Sequence, residues 1–191
     1  YDLNWAAMFI NPDGTVYARY GTQSAAGPDA YNSVESLEKT MRRVLSVHAN
    51  YATYKKYLAN KRGKTKPYKT AMEMPGIETK RKEKYQLLTE RQNCIHCHNI
   101  HDAENSQLQL SGKWSNEILW RYPLPDNIGL KIDPKDGLKI SKVIPGSPAD
   151  RAGLKAGQSI SYINNQMILS IADIQWVLHN LPNTATSLSV Y

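Results

Sequence analysis

The sequence is poor in cysteine, with two residues, has a single phenylalanine, and contains no long apolar run. Two cysteines cannot form the disulfide framework with which small secreted domains replace a core. No stretch approaches the roughly 20 apolar residues of a membrane-spanning helix, so no transmembrane segment is expected. Repeats and low-complexity tracts are also missing. The chain starts at Tyr1 without a recognisable signal peptide, which reads as a processed or partial chain. With 41% hydrophobic and 21% charged residues, it is not wholly disordered. A length of 191 residues admits one large or two small domains with a core of their own.

What is present is unevenly spread. Residues 1–38 carry one basic and five acidic side chains, residues 39–91 carry fifteen basic and four acidic, and residues 92–191 carry eight of each. The formal net charge of +7 is therefore a property of the central block. Such a block suits an acidic protein partner, an anionic surface or nucleic acid, or is simply a solvated helix surface.

The order of elements indicates an α+β fold. Trp5–Ile10 and Thr15–Tyr20, joined by Asn11-Pro12-Asp13-Gly14, read as a β-hairpin. Asn32, three residues before Glu35, reads as a helix N-cap. The helix would bury a stripe of Val34, Leu37, Met41, Val44, His48 and Tyr51. A basic linker is expected over 55–67, a second helix over 79–92 and a short helix over 114–121. Pro123 and Pro125 mark a boundary. Strands are expected near 128–132, 138–144, 159–163 and 187–191, with helices near 149–152 and 171–179. The expected domains are 1–60, 61–121 and 122–191.

The most specific feature is Cys94-Ile95-His96-Cys97-His98. Cysteines at this spacing near a helix start can form two thioethers to a haem, with the adjacent His98 as proximal iron ligand. One covalent haem c on Cys94, Cys97 and His98 is the favoured assignment. A thioredoxin-like redox pair is an alternative, but Leu88-Thr89-Glu90-Arg91-Gln92-Asn93 does not resemble the buried strand that precedes such pairs. Zinc on Cys94, Cys97, His98 and His101 is another, although neighbouring Cys97 and His98 would have difficulty sharing one tetrahedral centre. For the distal haem face, His48 is the sharp candidate and Met74 the alternative, with Met72 also competing. An open site would admit small-molecule chemistry, and His96 is better suited to solvent or a propionate. Against the ligand assignments stand plain structural roles, a core histidine for His48 and a cavity-filling methionine for Met74.

The C-terminal region carries Asn127-Ile128-Gly129-Leu130, then Val143-Ile144-Pro145-Gly146-Ser147-Pro148-Ala149, then Ala152-Gly153-Leu154-Lys155-Ala156-Gly157-Gln158-Ser159-Ile160 and Ile163-Asn164. In these residues it resembles a bacterial PDZ domain. The resemblance implies that backbone N–H groups around Ile128, Gly129 and Leu130 receive a peptide's C-terminal carboxylate. The peptide would add as a strand between 130–134 and the helix starting near Ile171. The alternative is a PDZ fold used only for internal packing or assembly. Trp5-Ala6-Ala7-Met8-Phe9-Ile10, Asn11-Pro12-Asp13-Gly14-Thr15-Val16-Tyr17 and Arg19-Tyr20-Gly21 resemble the late hairpin of a thioredoxin fold. The first half of that fold, with its redox motif, is missing.

These features together are similar to bacterial proteins combining a thioredoxin-like domain, a CxxCH segment and a PDZ domain. They imply a monohaem c-type protein for electron transfer or docking within a larger extracytoplasmic, periplasmic redox complex. Its partners would be proteins, either a redox partner or complex subunits, and not nucleic acid. The alternatives are an assembly subunit of a respiratory complex or filament of the nitrite-oxidoreductase kind, and a thiol–disulfide oxidoreductase. No nucleophile–base set is visible, which favours electron transfer or assembly over catalysis.

Overall fold

The computed structural model describes residues 5–27, 29–63, 65–77, 95, 97–119, 121–182 and 187–191. In chain order the elements are β1 (Ala7–Ile10), β2 (Val16–Tyr20), α1 (Val34–Ala49), α2 (Tyr51–Tyr54) and α3 (Cys97–Leu110). There follow β3 (Leu130–Ile132), β4 (Ile140–Val143), α4 (Pro148–Arg151), β5 (Tyr162–Ile163), β6 (Gln166–Met167) and α5 (Ile171–His179). Short 3₁₀ turns lie at Lys55–Tyr57, Ala59–Lys61, Ala71–Glu73, Asn116–Leu119 and Pro125–Ile128. Three two-stranded antiparallel sheets form, β1–β2, β3–β4 and β5–β6. Among the described residues no helix is long and apolar enough to cross a membrane.

The chain divides into two compact units, Lys64–Leu119 (with Tyr1–Leu3) and Asn4–Gly63 with Trp120–Tyr191. The segments expected to form separate first and third domains therefore share one unit.

In that larger unit the first hairpin is closed by local chemistry. The Asn11 N–H donates to the Thr15 carbonyl and the Gly14 N–H to the Asn11 carbonyl, each at 2.8 Å. Gly14 takes the left-handed backbone (φ +83°) that a turn of this kind requires. All five β2 residues are buried, whereas β1 alternates between half-buried and exposed.

The α1 helix departs from the sequence expectation at its start and along its buried face. The cap is Ser33, whose Oγ accepts the Ser36 N–H at 3.1 Å. Asn32 instead pairs with Thr22, accepting its N–H at 2.9 Å and donating to its carbonyl at 2.7 Å. The buried stripe is Ser36, Thr40, Val44 and Val47, while Val34, Met41 and His48 are exposed. The physical reason is hydrogen bonding. The Tyr20 hydroxyl lies 2.7 Å from Ser36 Oγ, and Thr40 Oγ1 donates to the Ser36 and Leu169 carbonyls at 2.8 and 3.2 Å. Satisfied hydroxyls can be buried at little cost, so this face does not show as a hydrophobic period.

Two apolar clusters build the core of this unit. One joins Leu130, Ile132, Ile140, Ile160, Ile163, Ile168, Ile171, Ile174, Val177 and Leu178. The other joins Tyr17, Ala18, Val44, Val47 and Leu58 to Met167 and Leu169. Between them α5 is buried at every position from Ile171 to Leu178. A helix covered all round has structure on each side, and here β2 supplies the second side. Strands 187–191 shrink to a single bridge, Ile163 with Val190.

The smaller unit is organised around α3. Met74, Ile77 and Ala103 are buried together, with Tyr68, Ala71, Met72 and Ile95 packed against them. Gly76 is required there, since a Cβ would lie 1.9 Å from the Ala103 carbonyl oxygen. The helix expected over 79–92 lies outside the described residues. The one expected over 114–121 is a single 3₁₀ turn, Asn116–Leu119.

Candidate docking groove and haem-attachment segment

The groove bounded by β3 and α5 is the first candidate site. It is positioned by a buried ionic lock. Lys61 and Asp173 are both fully buried, and Lys61 Nζ donates to Asp173 Oδ2 at 2.8 Å and to the Tyr17 carbonyl at 2.5 Å. The Asp173 carboxylate also accepts the backbone N–H groups of Arg19 (3.2 Å) and Leu169 (3.1 Å). Burial pushes the Lys61 ammonium below its usual range, and the facing Asp173 opposes that shift. The Arg19 guanidinium lies 3.8 Å from the centre of the Trp176 ring and donates to the Lys61 carbonyl. Trp176 Nε1 donates to the Asn60 carbonyl at 2.8 Å. Ser170 caps α5 by accepting the Asp173 N–H at 3.2 Å and donates its own hydroxyl to the Arg19 carbonyl. Three separate stretches, 17–19, 60–61 and 170–176, are thus fixed to one another.

Ile128, Gly129 and Leu130, expected from the sequence to receive a peptide carboxylate, lie at the junction of the Pro125–Ile128 turn and β3. Gly129 is left-handed (φ +87°) and its N–H donates to the Asp126 carbonyl at 2.9 Å. A Cβ on Gly129 would sit 2.0 Å from Ser147 Oγ, so the close approach that demands glycine here is made by Ser147. The Gly129 carbonyl accepts the Ile144 N–H at 2.9 Å, tying the loop to the end of β4.

A second cluster holds the loop between β3 and β4 to α1. Asp136 pairs with Lys39 and Arg43, each at 3.0 Å, and accepts the N–H groups of Leu138 and Lys139. Partial burial alone would raise its carboxyl, but Lys39, Arg43 and the two N–H groups outweigh this and hold it below the usual range.

The CxxCH motif is the second candidate. Cys97 and His98 are the first residues of α3, His98 and His101 are half-buried, and Ile95 belongs to the Met74 cluster. Cys94 and His96 lie outside the described residues. Met74 is 5% exposed and Met72 packs beside it. His48 is an exposed residue of α1. Its Nδ1 is 2.7 Å from the Tyr17 hydroxyl, and the two rings meet edge to face at 5.7 Å. Among the described residues no group of three or more metal-ligating side chains is assembled.

Sequence reasoning missed Lys61, Asp173 and Tyr31, which lie outside any motif. The available signal was a lysine three residues after Leu58 and two before Gly63.

Residues 139–191 match the family model described as PDZ domain. A PDZ domain is therefore present at residues 139–191, and such a domain implies protein partners. No thioredoxin-like or haem-binding family is detected. No curated protein and no solved structure matches the chain.

Proposed function

We propose that this chain is an extracytoplasmic docking protein that carries one covalent haem c and passes electrons within a larger redox complex. The observation that supports the haem is the motif itself, Cys94-Ile95-His96-Cys97-His98, with Cys97 and His98 opening a helix. The residues present suit the group in donor chemistry. Two thiols can become thioethers, an adjacent imidazole can bind iron, and Met72 and Met74 bring thioethers into the apolar cluster that includes Ile95. When bound, the haem would supply reversible one-electron transfer. The chain's part is to hold the proximal imidazole of His98 and to offer apolar walls that keep water away. Among the distal candidates, Met74 has the better support. It is buried beside Ile95, whereas the His48 imidazole is exposed and engaged by Tyr17.

Covalent haem attachment belongs to compartments outside the cytoplasm, which is the basis for the proposed location. The basic block at 39–91 would steer docking onto an acidic protein surface. Expression in a host with haem-attachment machinery, followed by denaturing gels stained for haem, tests the proposal. Stain on the wild-type band and none on the double variant Cys94→Ala/Cys97→Ala is the expected result. An unstained wild-type band would overturn it.

A second reading, an assembly subunit in which haem is secondary, is favoured by one feature. The helix that borders the groove is covered on its far side by the chain's own hairpin, as suits a PDZ unit built into a larger framework.

A further inference from the structure

The segment between β2 and α1 lies at the groove bounded by β3 and α5, and touches both of its walls. On the α5 side, Thr22 Oγ1 donates to Gln175 Oε1 at 3.0 Å. On the β3 side, the Tyr31 hydroxyl donates to Asp126 Oδ2 at 2.7 Å, in the turn that leads into Gly129, and the Tyr31 ring packs on the Leu130–Ile132–Ile171 cluster. Ser33 Oγ donates to the Pro134 carbonyl, just past β3, at 2.9 Å.

The two ends of the segment are tied together by the paired hydrogen bonds of Thr22 with Asn32. Its start is fixed by Gly21, left-handed at φ +108°, where a Cβ would lie 2.5 Å from the Trp5 carbonyl oxygen. The crevice left among Gly21, Thr22, Tyr31, Gly137, Ile171 and Ala172 is too narrow for a water molecule. An extended peptide strand is far larger than that crevice. Tyr31, bonded to Asp126 and packed on the cluster that contains Leu130 and Ile171, lies against both of the elements such a strand would meet.

We propose that residues 21–27 and 29–32 are a built-in plug of the peptide groove, with Tyr31 as its stopper, so that a peptide bearing a free C-terminal carboxylate is captured only after the plug is displaced. The proposal deepens the docking role and is independent of the haem. Two side-chain hydrogen bonds and one half-buried aromatic ring hold the plug. A partner that binds the plug from outside would therefore open the groove by taking over those contacts, shifting a two-state equilibrium.

The probe is a pool of random heptapeptides with a free C-terminal carboxylate, beside the same pool amidated, captured on the immobilised full chain and counted by mass spectrometry. The expected result is background capture of both pools by the wild type. Tyr31→Ala should retain the carboxylate pool at least about tenfold over the amidated pool, as removal of a ring and a hydrogen bond releases more than the 1.4 kcal/mol that a factor of ten represents. Capture by the wild type equal to that of the variant would overturn the proposal. So would a Tyr31→Ala chain with a native circular dichroism spectrum and no gain in capture.

Should Tyr31→Ala fail to fold, Tyr31→Phe keeps the ring and removes only the hydroxyl. Backbone amides of 130–132 should then exchange with deuterium several-fold faster than in the wild type, and unchanged exchange would overturn the proposal. Haem staining is unaffected by either outcome, so a failure here is distinguishable from a failure of the electron-transfer role.

Discussion

Replacing Lys61 with Met removes the cation from a pair in which neither side chain reaches solvent. Methionine fills a similar volume, so the effect isolates charge and hydrogen bonding from cavity formation. Asp173 keeps the Arg19 and Leu169 backbone N–H groups, but it loses its ammonium partner at 2.8 Å, and the Tyr17 carbonyl loses its donor. Breaking a buried pair on one side costs about 3–5 kcal/mol, because the remaining charge is left without compensation. Domains of this size have about 5–15 kcal/mol in total, and a loss of 1 kcal/mol lowers Tm by roughly 2–8 °C. The midpoint for Lys61→Met should therefore fall by on the order of 10 °C or more.

The assay is thermal and urea unfolding followed by far-UV circular dichroism at neutral pH. Lys61→Met with Asp173→Asn should recover part of the loss, since the amide oxygen still accepts an N–H and carries no charge. A drop of less than about 1 kcal/mol, the size of an exposed ion pair, would refute the reasoning that the lock holds 17–19, 60–61 and 170–176 together.

Other outcomes follow from single contacts. The Asp136 carboxyl is held below its usual value, so its contribution is present above the ordinary carboxylate pKa of about 3.9 and is lost as pH falls through the lowered folded value. Asp136→Asn should flatten the acid limb of the stability profile below about pH 4, and an unchanged limb in acid titrations of Tm would contradict this. Gly129→Ala forces a side chain into left-handed backbone, which costs about 1–3 kcal/mol before Ser147 is displaced. Urea titration should show at least that loss, and a change below about 0.5 kcal/mol, within the usual range for surface substitutions, would count against the observed Gly129–Ser147 packing. In the haem-loaded chain, Met74→Ala should change the ferric absorption spectrum from low-spin to high-spin while His48→Ala leaves it unchanged. The reverse pattern would assign the distal position to His48.

Some elements were legible from residue types alone. The α5 helix occupies Ile171–His179, where the sequence reading places a helix, and the hairpin forms around Asn11-Pro12-Asp13-Gly14. These depend on local turn chemistry and hydrophobic period. The buried face of α1 was not legible, because Ser36 and Thr40 are buried through hydroxyl hydrogen bonds that a hydropathy pattern does not register. The shared core was hidden for a related reason. One of its links is the Lys61–Asp173 pair, 112 positions apart in sequence, and a buried lysine looks like any other member of a basic block. The PDZ resemblance puts Gly129 at a peptide carboxylate, and the atom a Cβ there would meet is Ser147 Oγ, a contact made by the chain itself. The contacts of Tyr31 with Asp126 and the apolar cluster of Leu130 and Ile171 link residues far apart in sequence and leave no mark on it.

The central claim is that Cys94 and Cys97 carry a haem. Its most direct test is a pyridine haemochrome spectrum combined with intact mass, on chain purified from a host that attaches haem c. The expected result is the spectrum of a haem bound through two thioethers and a mass increased by one haem, both lost in Cys94→Ala/Cys97→Ala. A colourless wild-type chain at its polypeptide mass would contradict it, and would leave a PDZ docking protein without a redox centre.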